Sequence, residues 1–165
     1  MQISRRFLVS GGTAAVALVA AAVFLRPVGG SRAAEGKFEV SFTEAEWKAK
    51  LSPEAFEVLR HEDTEYPGTS PLLNEHRAGT FDCAGCALPL FDSATKYDSG
   101  TGWPSFYQPL ENAVEQSTDS KLGYVRNEVH CRRCGGHLGH VFDDGPQPTG
   151  LRYCMNGVAL SFTPA

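Results

Sequence analysis

The sequence predicts a mainly β domain, antiparallel, opened by short helices and pinned together by four cysteines. Three observations carry this. Helix-start signals cluster between residues 43 and 60. From Gly79 onward, short apolar stretches are separated by Gly, Pro, Asp and Asn, which is the rhythm of antiparallel strands joined by turns. The five cysteines divide into two C-x-x-C pairs, Cys83/Cys86 and Cys131/Cys134, and a lone Cys154.

The start of the chain reads as an address. Ser4-Arg5-Arg6-Phe7-Leu8-Val9 is a twin-arginine opening, and a Gly- and Ala-rich apolar run follows from Gly11 to Leu25. That run has 15 residues, short of the roughly 20 that span a bilayer. Ser31-Arg32-Ala33 offers a small-x-small cleavage site. Residues 1–33 are therefore expected to be a twin-arginine-type signal segment, with export to the periplasm. The alternative is an uncleaved anchor that leaves the domain facing the periplasm. Residues 34–42 read as a linker and 43–165 as one domain, a size sufficient for one core.

Arg5, Arg6, Arg26 and Arg32 belong to the signal, and no acid does, so 11 basic residues face 19 acidic ones in the remainder, a net charge of −8. Phosphate backbones need clustered Lys and Arg. An acidic domain with no basic stripe is not expected to bind nucleic acid.

The elements follow in order. Thr43 and Glu46 form a capping box, so a helix is expected from about Glu44 to Lys50. Ser52-Pro53 starts a second one, which should reach about Arg60 with Phe56 and Leu59 facing the core. Pro67, Gly68 and Pro71 end helical structure. Strands are expected at Lys121–Val129, Leu138–Phe142 and Leu151–Phe162.

Two C-x-x-C pairs distant in sequence can close around one tetrahedral zinc, so Cys83, Cys86, Cys131 and Cys134 are the candidate metal ligands. Each pair would sit on a turn, and one ion would tie the two turns together. Export after folding suits this site, because the metal can be loaded before the thiols meet an oxidising compartment. Two other readings remain at this point. The pairs could be disulfide staples, or Cys131, Cys134, His137 and His140 could form a Cys₂His₂ site that leaves Cys83 and Cys86 without a role.

Cys154 is the thiol left over. In a strand, Arg152, Cys154 and Asn156 would share one face. Arg152 is expected to lower the thiol pKa and favour the thiolate, and Asn156 to hydrogen-bond beside it. The bland alternative is a cysteine packed in a core. His137 and His140 suit acid–base work or plain structural roles. Gly100-Thr101-Gly102-Trp103-Pro104 suggests a tight loop that presents an indole wall to an apolar, polarizable ligand.

Together these segments resemble the methionine sulfoxide reductase B family. The matching text is Tyr97-Asp98-Ser99-Gly100, Gly102-Trp103-Pro104-Ser105-Phe106, Cys131-Arg132-Arg133-Cys134 and His137-Leu138-Gly139-His140-Val141-Phe142. It continues through Asp144-Gly145-Pro146-Gln147-Pro148-Thr149-Gly150 to Arg152-Tyr153-Cys154-Met155-Asn156, and the resemblance covers about residues 40–163. It implies two antiparallel sheets behind N-terminal helices, a structural zinc, and reduction of methionine-R-sulfoxide in proteins and peptides. It implies Cys154 as nucleophile, with His137, His140 and Asp144 at positions of proton delivery, Arg152 favouring the thiolate, Asn156 orienting the site and Trp103 walling the substrate methyl.

Two departures stand out. Many relatives carry a resolving cysteine where this chain has Thr101, so an external reductant, a thioredoxin-like protein or a small thiol, is expected to act on Cys154 directly. Gly157 stands where the family usually has Ser. A monomer is expected. The competing functional class is a zinc-stabilised binding module that uses the Trp103 groove without chemistry.

Overall fold

The computed structural model describes residues 38–121 and 123–165. The segment expected as an export signal, 1–33, lies outside the described residues.

Helix α1 spans Glu44–Lys50. Thr43 caps it, its hydroxyl accepting the Glu46 N–H while the Glu46 carboxylate accepts the Thr43 N–H, which is the capping box the sequence predicts. Helix α2 spans Pro53–His61, with the Ser52 hydroxyl as N-cap and Glu62 ending it in the left-handed region at φ 57°. Its apolar face buries Ala55, Phe56, Val58 and Leu59. It packs against the strand His137–Phe142 and the 3-10 turn Gly157–Ala159 that follows the lone cysteine.

Among the described residues, nine strands make two antiparallel sheets. They are β1 (Gly79–Cys83), β2 (Pro89–Asp92), β3 (Lys96–Tyr97), β4 (Ser105–Phe106), β5 (Val114–Asp119), β6 (Arg126–Cys131), β7 (His137–Phe142), β8 (Arg152–Met155) and β9 (Leu160–Pro164). The smaller sheet has the order β2-β1-β9 and the larger β3-β4-β8-β7-β6-β5. Rings from both sheets fill the space between them. Phe91 stacks on Phe106 at 4.3 Å between centroids, and Phe81 meets Phe106 edge-on at 4.9 Å. Tyr153 packs against Phe91 at 5.9 Å. Such pairs add about 0.5–1.5 kcal/mol each beyond the area they bury.

Two strand expectations need correction. The strand expected at Lys121–Val129 runs from Arg126 to Cys131 instead. Its antiparallel partner β5, absent from the sequence reading, pairs Asp119 with Arg126 across a turn in which the Gly123 N–H donates to Ser120 O. The polar run Glu115–Asp119 hid β5, because an edge strand with no fully buried residue on either face lacks the apolar alternation of a half-buried one. The single strand expected over Leu151–Phe162 is two strands in different sheets. Strand β8 ends at Met155, a 3-10 turn at Gly157–Ala159 redirects the chain, and β9 joins the small sheet beside β1. The apolar residues on both sides of Asn156-Gly157 concealed the break.

Within the expected linker, residues 38–40 are tied to the body. Val40 N–H donates to Arg133 O at 3.0 Å, and an Arg132 guanidinium N–H reaches Glu39 at 2.7 Å.

Candidate active site and metal centre

Both C-x-x-C pairs sit on turns, as expected, and the two turns are built alike. Cys83 N–H donates to Leu88 O at 2.8 Å, and Cys131 N–H donates to Gly136 O at 2.9 Å. Ala87 N–H returns to Cys83 O, and Gly135 N–H to Cys131 O, both at 2.8 Å. The residue after each second cysteine is left-handed, with φ 54° at Ala87 and 65° at Gly135. Each turn aims two sulfurs the same way. The four Sγ atoms lie within 4.8 Å of one another, with Cys83 3.7 Å from Cys134 and Cys86 3.5 Å from Cys131. A tetrahedron with metal–sulfur bonds of about 2.3 Å has edges of about 3.8 Å, so the donor set fits zinc. The disulfide alternative does not hold, because all five cysteines are free. Nor does the Cys₂His₂ alternative, because His137 and His140 are engaged elsewhere.

The larger sheet carries the other candidates. Residues paired directly across antiparallel strands share a face. Tyr97 pairs with Ser105, Ser105 with Cys154, Cys154 with His140, His140 with Glu128, and Glu128 with Ser117. A single polar row thus crosses all six strands, with Cys154 near its middle. The adjacent positions Phe106 and Tyr153 point the other way, into the core.

His137 and His140 are three apart, a spacing that sends side chains to opposite faces of a regular strand. A bulge removes the conflict. His130 pairs with His137 while Val129 pairs with Gly139, so β7 carries one extra residue. Both imidazoles then lie on the Cys154 face, with centroids 5.3 Å apart. Each has its own carboxylate. His137 Nδ1 lies 2.8 Å from Glu128 Oε1, and His140 Nε2 lies 2.8 Å from Asp119 Oδ2. Burial pushes the His140 pKa down, more than Asp119 raises it. Burial alone would raise Glu128, but the His130 imidazole at 3.6 Å and hydrogen bonds to His137 and Ser117 hold it well below the usual carboxylate range. Asp119 is held near 2 against its own desolvation, by the Lys121 N–H, His140 and Arg126.

Cys154 is half-buried. Thr101 Oγ1 lies 3.8 Å from its sulfur and begins a chain of hydroxyls, Thr101 to Ser99 at 2.8 Å and Ser99 to Ser105 at 2.7 Å. Burial pushes the thiol pKa up, while Thr101, Arg152 and Ser105 pull it down. The net direction is upward, because burial outweighs the lowering by Arg152 and the two hydroxyls. Two features explain it. The sulfur is desolvated, and the Arg152 guanidinium is committed to Asp144 through two bonds of 2.8 Å. Arg152 also lies over the Phe142 ring at 4.4 Å.

Asn156 lies beyond the end of β8 and is buried, 3% exposed. Its amide is spent on backbone: Nδ2–H donates to Leu138 O at 3.1 Å and Oδ1 accepts the Glu65 N–H at 3.1 Å. It braces the turn behind Cys154 and leaves Arg152 and Cys154 on the open face. Trp103 is half-buried, and its indole N–H donates to Glu65 O at 3.1 Å.

The sequence has counterparts among known proteins. The SelR domain family matches residues 51–164. The chain is 54% identical over 123 residues to "Peptide methionine sulfoxide reductase MsrB" of Thiobacillus denitrificans, covering 74% of this chain and 93% of that protein. It is 54% identical over 127 residues to the protein of the same name from Pseudomonas putida strain W619, covering 76% and 96%. Against that of Leifsonia xyli subsp. xyli it is 51% identical over 134 residues, covering 80% and 96%. The chain belongs to the methionine sulfoxide reductase B family.

Within this chain the sequence pattern did not reveal three side chains that shape the site: Asp119, Glu128 and Glu65. Glu128 carried a faint signal, an acid in the strand-like run Arg126–Cys131. Asp119 and Glu65 lie 21 and 91 residues from the partners they touch, His140 and Asn156, so no local pattern could expose them.

Proposed function

We propose that Cys154 carries the family's reaction here, thiol-dependent reduction of methionine-R-sulfoxide in proteins and peptides to methionine. The observation that carries this reading is the row Ser105–Cys154–His140, in which a thiol sits between a hydroxyl chain and a carboxylate-backed imidazole.

The Cys154 thiolate donates an electron pair to the sulfoxide sulfur and forms an S–S bond as the sulfoxide oxygen takes a proton. The oxygen then passes to the Cys154 sulfur as the new S–S bond and the substrate's S–O bond break. Methionine leaves reduced by two electrons, and Cys154 is left as the sulfenic acid. His140, facing Cys154 from β7, and His137 beside it supply the proton route. Asp144 holds the Arg152 guanidinium, which favours the thiolate, and Trp103 walls the substrate methyl. Asn156 fixes the turn behind the nucleophile. One external thiol condenses with the sulfenic acid and releases water. A second frees Cys154 and leaves as a disulfide. Thr101 stands where an internal thiol would serve, which supports a thioredoxin-like protein or a small thiol as the reductant. Cys83, Cys86, Cys131 and Cys134 would hold a structural zinc that supplies stability and no redox step.

The deciding experiment is turnover of separated R and S sulfoxide peptides with dithiothreitol, for the wild type and Cys154→Ser. The expected result is turnover of the R epimer alone, abolished in the variant with zinc retained. Turnover that survives Cys154→Ser, or none in the zinc-loaded wild type, defeats the reading and favours a binding module.

The twin arginines and the Ser31-Arg32-Ala33 site support export of the enzyme to the periplasm. Replacing Arg5 and Arg6 with Lys should retain the protein in the cytoplasm. Unchanged export, or fractionation with the membrane, argues against the cleaved twin-arginine route.

A further inference from the structure

We propose that Glu65 is a positioning residue that holds the Trp103 wall and the end of the Cys154 strand as one body, and so sets affinity for the substrate's sulfoxide methyl group. The inference rests on the reductase reading given above.

Glu65 lies between α2 and the 3-10 turn Pro71–Asn74, distant in sequence from everything it binds. Its main chain faces two ways. Its carbonyl accepts the Trp103 indole N–H at 3.1 Å, and its N–H donates to Asn156 Oδ1 at 3.1 Å. Its carboxylate takes the next two residues along from Asn156, accepting the Gly157 N–H on Oε1 and the Val158 N–H on Oε2. Asn156 donates in turn to Leu138 O from both its backbone and its side chain, which extends the tether to β7. One residue thus joins the loop bearing the indole to the turn immediately after the nucleophile.

The surrounding strap is seated closely. Gly68 N–H donates to Gly102 O at 2.8 Å, beside Trp103. A Cβ at Gly157 would stand 1.8 Å from Ser70 Oγ, 2.6 Å from Ser70 Cβ and 3.2 Å from Glu65 Oε1. The departure from Ser at position 157 therefore makes room for the strap. Any side chain there would push Ser70 and Glu65 outward, and the tie to Trp103 with them.

Glu65 could merely cap the 3-10 turn Gly157–Ala159, whose N-cap Asn156 provides no side-chain cap. A cap alone would alter stability and leave the indole and substrate affinity unmoved. The experiment therefore reads both for Glu65→Ala and Glu65→Gln. KM and kcat are measured with an R-sulfoxide peptide and dithiothreitol, and indole exposure by acrylamide quenching. Trp47 is 3% exposed, so quenching reports on Trp103. Glu65→Ala is expected to raise KM about tenfold or more and kcat/KM to fall with it, because small displacements of positioning groups are costly. Quenching should increase, and Glu65→Gln should lie between.

Unchanged KM and quenching in a folded Glu65→Ala overturn the proposal. Should that variant fail to fold, Gly157→Ala is expected to show the same signature, with Ser70→Gly in that background restoring it. A Gly157→Ala protein with wild-type KM and quenching overturns the proposal as well. A wild type that reduces no sulfoxide would refute the enzyme reading instead, and quenching would still decide whether Glu65 tethers the indole.

Discussion

A half-buried thiol ionises reluctantly, and Cys154 has two hydroxyls and a shared cation to help it. Burial raises its pKa, and Arg152, divided between the thiol and Asp144, recovers only part. In the free enzyme the rate of Cys154 alkylation by iodoacetamide should therefore rise with pH around a midpoint above that of an ordinary cysteine, about 8.5. Arg152→Ala removes a group that favours the charged form, so it should move the midpoint higher still and slow alkylation at neutral pH. An unchanged midpoint would show that Arg152 acts on Asp144 alone. Thr101 supports a second prediction. Its hydroxyl lies 3.8 Å from the Cys154 sulfur, close enough for Thr101→Cys to resolve the sulfenic acid internally. One equivalent of sulfoxide should then consume two free thiols and leave a reducible disulfide, counted by thiol titration. Loss of a single thiol would mean that the loop cannot close the bond.

The strands matter through their irregularities. The bulge in β7 puts His137 and His140 on one face, and the early end of β8 buries Asn156 while Cys154 stays on the open side. Glu128 anchors the centre of this arrangement: its carboxylate is bonded to Ser117 and His137, and it sits opposite His140 in the pairing of β6 with β7. Its folded pKa is depressed, so its stabilising effect is present above the unfolded value of about 4.3 and is lost as pH falls through the folded value. Glu128→Gln should cost about 1–3 kcal/mol at pH 7 by urea denaturation. The gap to wild type should narrow below about pH 4, where the unfolded chain's carboxyl takes up a proton that the folded Glu128 still excludes. A gap independent of pH would mean that shape, not charge, holds β5, β6 and β7 together.

At the scale of the molecule, the four cysteines bridge the two sheets. Cys83 ends β1 in the small sheet and Cys131 ends β6 in the large one, so a metal here would clamp both where the aromatic core alone would otherwise join them. Chelation, or Cys86→Ala, should lower the melting midpoint by on the order of 10 °C with loss of bound metal, because metal binding is coupled to folding. Metal loss without a shift would remove the clamp from this account. Much of this was legible in the chain. Both helices follow from Thr43, Glu46, Ser52 and Pro53, because caps and turns are satisfied by neighbours a few residues away. The four-plus-one division of the cysteines likewise needed only counting. Tertiary structure decided what depends on distant partners. It split Leu151–Phe162 between two sheets, paired His140 with Asp119 and His137 with Glu128, drew Arg152 to Asp144, and brought Glu65 to Trp103 and Asn156. Sequence by itself determined the donors and the local turns. Burial and long-range hydrogen bonds, which exist only once the sheets have closed, decided how those groups face one another and how readily Cys154 ionises.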